Sequence, residues 1–182
     1  MVMISKTTLS MISLVGVLKH RDEDARLNAV AGLKNQRKLA MVARHDPSYA
    51  VREAAVMHLD NQKVVSYIAL NDEDFHVRLA AVNRLAEQSM VAYIAQRDPD
   101  YHVRLAAVRR LEDQQVLAEI ALYDAEWIVN NEAIARLNDR MALKAIRRKH
   151  ISMLAHKAAT ERLRVLDELE GAAMQEEQDD IK

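Results

Sequence analysis

The chain has 182 residues, half of them hydrophobic but only 4% aromatic, with three glycines, two prolines and no cysteine. Without cysteine, disulfides, thiolate metal sites and cysteine nucleophiles are excluded together. A formal net charge of −1 gives the whole molecule no electrostatic preference for nucleic acid or membrane.

The first segment, residues 1–20, holds an apolar run from Leu9 to Leu18. Only Lys6 precedes this run within its segment and no small-residue cleavage site follows, so a capping helix over Thr7 to Lys19 is expected rather than a signal peptide. No run approaches the ~20 apolar residues needed to span a bilayer. A cytoplasmic location is therefore expected.

Residues 21–148 repeat with a period of 26. Val51-Arg52, Val77-Arg78 and Val103-Arg104 share one register, begun by Ala25-Arg26 and closed by Val129-Asn130. The same spacing relates Leu33, Leu59, Leu85, Leu111 and Leu137, and it relates Gln36, Gln62, Gln88 and Gln114, with Arg140 in the fifth place. Fixed self-similarity at this length marks a stacked array of small units.

Each unit divides into two helices. In Tyr101 to Leu111 the residues Val103, Ala107, Val108 and Leu111 fall on one helical face. Asp113 is the expected N-cap of a second, shorter helix carrying Val116, Leu117, Ile120 and Ala121. The return connection contains Asp46-Pro47 or Asp98-Pro99, where Asp is expected to cap and Pro to take the first helical position. Helices shorter than ~12 to 15 residues are marginal alone, so stability has to come from stacking. Residues 149–170 read as a degenerate repeat or a C-terminal capping helix ending near Leu169. Residues 171–182 lack apolar periodicity and read as a frayed acidic tail.

The segment DPDYHVRLAAVRRL, Asp98 to Leu111, resembles the HEAT-like helical repeats, and its short period is similar to the bacterial leucine-rich repeat variant group. That resemblance implies an all-α, right-handed α-solenoid of about five two-helix repeats with terminal caps, whose second helix can be 3-10. The iron-sulfur cluster of some members is not implied, since this chain has no cysteine.

Four columns bear on function. Arg26, Arg52, Arg78 and Arg104 recur with Asp46, Asp72, Asp98 and Asp124, and are read as a structural ladder, because a guanidinium fork matches a carboxylate or loop carbonyls. A row of anion-binding arginines is the other reading. Tyr49, Phe75, Tyr101 and Trp127 are read as plugs between repeats or, alternatively, as an anchoring row for a partner. Tyr67 and Tyr93 form a shorter row on the second helix.

The column His58, Arg84, Arg110 and Arg136 lies off the core face and, with Arg109, leads into a basic stretch. Arg136 to Arg164 holds nine basic and two acidic residues, a net +7, whereas Asp167 to Lys182 holds seven acidic and one basic, a net −6. The two blocks could neutralise each other. A solvated face, an acidic protein segment and nucleic-acid phosphates are all compatible with the basic stretch.

His76 and His102 share a column, but repeats stacked about 10 Å apart cannot both place a ligand within about 2.2 Å of one zinc. No GxSxG, HExxH or nucleotide fingerprint occurs, and no cofactor is expected. The rival enzyme class, DNA glycosylases built on HEAT-like repeats, would need Asp124 and Trp127 as its central residues, and both occupy ordinary repeat columns. The expectation is a non-catalytic protein-binding scaffold, monomeric or weakly dimeric end to end, with Arg84, Arg109, Arg110, Arg136, Tyr101 and Trp127 as partner-binding candidates. Nucleic-acid binding by the basic half is the alternative.

Overall fold

The structure, a computed structural model, describes residues 22–149 and 152–179. The expected N-terminal cap lies outside them, as does His150. Among the described residues there are eleven α-helices and no strand: α1 (Glu23–Ala31), α2 (Gln36–His45), α3 (Tyr49–Met57), α4 (Gln62–Asn71), α5 (Phe75–Val82), α6 (Gln88–Arg97), α7 (Tyr101–Val108), α8 (Gln114–Tyr123), α9 (Trp127–Arg136), α10 (Arg140–Arg148) and α11 (Met153–Asp179). This is an all-α, helical-repeat architecture. The second helix of each period is α-helical and not 3-10.

Two compact units are distinguished, one extending to Met90 and the other beginning at Val91. In the first, α1 packs on α3 and α3 on α5, α2 lies along α4, and α2 and α4 pack against the first helix that follows each. In the second, α7 packs on α9 and α9 on α11, α8 lies along α10, α8 packs on α9 and α10 on α11. First helices thus contact first helices and second helices contact second. α11 lies where a degenerate repeat or a C-terminal capping helix was expected, and it packs on α9 and α10.

The apolar columns explain this packing. Val51, Val77, Val103 and Val129 are fully buried, as are Ala55, Ala81, Ala107 and Ala133, and Leu59, Leu85, Leu111 and Leu137 are at most 1% exposed. Alanine in the middle of the face lets helix axes approach, and the larger leucine fills the corner where the first helix ends. The column persists into α11 with Ala155, Ala159 and Leu163, each buried.

Local chemistry sets the helix boundaries. Asn35, Asn61, Asp113 and Asp139 are the N-caps of second helices, each side chain accepting a backbone N–H of the first turn. The caps of the first helices differ from the sequence expectation. The N-cap is not Asp46 or Asp98 but the residue two further on: Ser48, Asp74, Asp100 or Glu126. Asp46, Asp72 and Asp124 are instead C-caps of the preceding helices, and Pro47 and Pro99 lie in the connection, outside the helix. Each Asp of that column still organises the turn, because its Oδ1 accepts the N–H two residues on, at 2.9 to 3.0 Å. The acidic C-terminal stretch also departs from expectation, since α11 runs on through Asp179.

Candidate binding surfaces

A surface can bind a partner only with groups that the fold does not already use, so the periodic columns come first. Arg26 donates to both carboxylate oxygens of Asp46 at 2.9 and 3.0 Å, Arg52 to those of Asp72 at 2.9 and 2.9 Å, and Arg104 to those of Asp124 at 2.8 and 3.0 Å. The remaining nitrogen of the fork turns back to the preceding connection: Arg52 Nη1 reaches the Asp46 carbonyl at 3.0 Å, Arg78 Nη1 that of Asp72 at 2.9 Å and Arg104 Nη1 that of Asp98 at 2.9 Å. Burial would penalise these charges, but the hydrogen bond to the carboxylate outweighs it and holds Arg26, Arg52 and Arg104 above the ordinary arginine range. These arginines stitch the stack and are not open to an incoming anion.

The glutamine column makes a second set of stitches. Gln36 Nε2 donates to the His58 carbonyl at 3.0 Å while its Oε1 accepts the Asp60 N–H at 2.9 Å. Gln62 does the same with the Arg84 carbonyl at 3.2 Å and the Ala86 N–H at 2.9 Å, and Gln114 with Arg136 and Asn138 at 3.5 and 2.7 Å. A side-chain amide fits because it carries donor and acceptor on one plane, and the turn after the next first helix presents one of each. In the fifth place Arg140 stands for glutamine. It pairs with Asp167 and with Glu170, the latter at 2.8 Å. α11 does not turn at the corresponding point, so there is no free turn to clamp, and carboxylates further along the same helix take over.

The column Arg84, Arg110 and Arg136 was expected to project from the core as partner-binding residues. The structure assigns at least two of the three another task. Arg84 Nε and Nη2 both donate to the Leu59 carbonyl at 3.0 and 2.8 Å, and Arg136 Nη2 donates to that of Leu111 at 3.3 Å. One period later Arg162 Nε donates to Leu137 at 2.9 Å. These three carbonyls, at or just past the end of a first helix, lack an intrahelical partner, and a guanidinium from the next period supplies one. Arg110 is half-buried, while Arg109 is exposed and pairs with Glu132 at 3.3 Å.

The aromatic first-helix row is not uniform. Tyr49 stacks on His76 with ring centroids 5.1 Å apart, Phe75 and Tyr101 are half-buried, and Trp127 is 63% exposed. Second helices also carry exposed aromatics. In the first unit Tyr67 on α4, 52% exposed, lies under the Arg44 guanidinium at 4.8 Å. In the second unit Tyr93 on α6 carries Arg97 at 5.3 Å, and Tyr123 on α8, 72% exposed, carries Lys149 at 5.3 Å from its ring and 3.2 Å from its hydroxyl. A groove of about 430 Å³ opens here, lined by Gln96, Arg97, Glu119, Ile120, Tyr123 and Asp124. Tyr123 escaped the sequence reading because it belongs to no aromatic column; the signal was only that an aromatic stands at the end of a helix whose apolar face ends at Ala121.

The basic stretch is partly neutralised. Arg164 pairs with Glu161 and Glu168 within α11, and Arg140 is engaged as described. Lys144, Arg148, Lys149 and Lys157 are exposed and form no ion pair among the described residues. No group of three or more His, Asp or Glu side chains is placed to hold a metal among the described residues, and no described helix is long and apolar enough to cross a membrane. Comparison of the chain with protein-family models, curated proteins and solved structures returns no match.

Proposed function

We propose that the chain is a non-catalytic protein-binding scaffold, a right-handed α-solenoid of five regular repeats similar to the HEAT-like and short-period leucine-rich repeat variant proteins. The partner contributes an acidic segment, and the second helices receive it. One observation carries this reading: exposed tyrosines on second helices each lie beside a cation that no ladder consumes, Tyr93 with Arg97 and Tyr123 with Lys149 in the second unit. Tyrosine supplies rigid contact area at low entropic cost, and the adjacent cation pairs with carboxylates once water is excluded. Arg84 and Arg136, committed to backbone carbonyls, leave the binding set.

The test is nuclease-treated affinity capture from the source cells, followed by titration of the captured partner. Tyr93→Ala with Tyr123→Ala should abolish binding without moving the melting temperature, and Arg97→Glu with Lys149→Glu should do the same. Retained affinity in both variants sinks the surface. Nucleic-acid binding is favoured by Lys144, Arg148, Lys149 and Lys157 alone. It predicts fluorescence anisotropy with duplex DNA or RNA that falls steeply with salt through counterion release, and a flat response at low salt eliminates it.

A further inference from the structure

The arginine ladder ends inside the second unit and leaves room behind. At Arg52, Arg78 and Arg104 the guanidinium lies over the connection before its own helix, with Nη1 on two successive carbonyls: Asp46 and Pro47, Asp72 and Glu73, Asp98 and Pro99, at 2.9 to 3.4 Å. One period on, the residue is Asn130. Its amide nitrogen reaches the first of the corresponding carbonyls, Asp124, at 3.1 Å, and touches those of Ile120 and Ala121 at 3.3 and 3.4 Å. The second corresponding carbonyl, that of Ala125, receives no hydrogen bond among the described residues.

Asparagine is three heavy atoms shorter than arginine in reach, so the volume a guanidinium fills elsewhere is open here. A pocket of about 220 Å³ occupies the place, lined among others by Trp127, Asn130, Asn131, Ser152, Leu154 and Ala155. Two apolar side chains on its wall are open to solvent, Trp127 at 63% and Leu154 at 59%. Two elements of a guanidinium seat are therefore present on the pocket wall: backbone carbonyl oxygens and exposed apolar side chains, an indole among them.

We propose that this pocket is a binding site for an arginine side chain of a partner protein. The incoming guanidinium takes the position that the chain's own column leaves vacant, donates to the Ala125 and Asp124 carbonyls and stacks on Trp127. Lysine is a poorer substitute, because an ammonium has no planar face to lay on the indole and is more strongly hydrated than a guanidinium. The site takes a basic side chain on α9, whereas the tyrosine groove takes an acidic segment, so either can stand if the other fails.

Trp127 is the only tryptophan of the chain and serves as the reporter. The intact protein is titrated with N-acetyl-arginine amide, followed by tryptophan fluorescence, with N-acetyl-lysine amide as the comparison. A lone side chain should saturate with a Kd on the order of 1 mM, and lysine should bind at least about tenfold more weakly. Asn130→Arg fills the seat from within and should abolish the response while the circular dichroism stays unchanged. If that variant does not fold, Leu154→Lys at the exposed rim should abolish it by charge repulsion alone. Equal responses to arginine and lysine, no saturation, or wild-type affinity in the folded variants overturns the proposal.

Discussion

If the arginine ladder holds neighbouring repeats together, breaking one rung should cost more than an ordinary surface ion pair. Arg52 and Asp72 are suitable, since both side chains lie within one unit and are only 6% and 7% exposed. Arg52→Met keeps the apolar stem and removes the fork, leaving the Asp72 carboxylate buried with only the Asp74 N–H at 3.0 Å as its remaining partner. An uncompensated buried charge of this kind costs about 3 to 5 kcal/mol. Asp72→Asn keeps that turn hydrogen bond and an acceptor for Arg52, so its cost should be nearer about 1 to 3 kcal/mol. The double variant should be less destabilised than the sum by about 1 to 3 kcal/mol, because the second change removes a charge that the first has already stranded. Urea unfolding followed by far-ultraviolet circular dichroism measures all four corners of the cycle. The transition of Arg52→Met should also broaden, since in a stacked array loss of one interface uncouples the units on either side of it. Single costs below about 1 kcal/mol that simply add would place the rung among ordinary surface pairs and refute the reasoning.

Gln62→Ala removes two hydrogen bonds, to the Arg84 carbonyl and from the Ala86 N–H, and should cost about 1 to 2 kcal/mol in the same assay. Gln62→Glu should cost more, because a carboxylate oxygen then faces the Arg84 carbonyl. Arg84→Lys should lower stability although it keeps the charge, since one ammonium cannot reproduce the paired contact with the Leu59 carbonyl; an unchanged melting temperature would return this residue to the solvated surface. The hydrogen bond from Arg164 holds the Glu161 carboxyl below its ordinary range. With the folded value depressed, its contribution to α11 is complete above the unfolded value of about 4.3 and is lost as pH falls through the folded one. Acid titration should therefore remove less helix from Arg164→Ala than from the wild type, and equal losses would count against the pair.

Much of the fold was legible because periodicity records which positions are buried. Valine, alanine and leucine recur at fixed places, and a one-residue error anywhere would have broken every column at once. The Arg–Asp pairing could be inferred because two complementary charges recur together. The hydrogen bonds of Arg84 and Arg136 were not legible, because their partners are the backbone carbonyls of Leu59 and Leu111, and a carbonyl leaves no mark in a sequence. The glutamine column was visible but silent, since both its partners are also backbone groups. The cap of the first helices shifted by two residues because Asp72-Glu73-Asp74 and Asp98-Pro99-Asp100 offer two carboxylates, one suited to close the preceding helix and one to open the next. The continuation of α11 beyond Glu170 to Asp179 was hidden because those residues carry no apolar periodicity; the charge pairs of Arg140 reach only Asp167 and Glu170. The candidate site was least legible, because exposed residues that bind partners need no periodicity.

The stitches between repeats all span fixed lengths of chain: 20 residues from arginine to aspartate, 22 and 24 from glutamine to the next turn, and 25 from arginine back to the leucine carbonyl. An insertion or deletion inside a repeat puts several of them out of register together. Duplication or loss of one whole period preserves every one. Length is therefore most readily changed by whole steps, and an engineered chain lengthened by copying Asp72 to Arg97 between Arg97 and Asp98 should keep every one of these spacings.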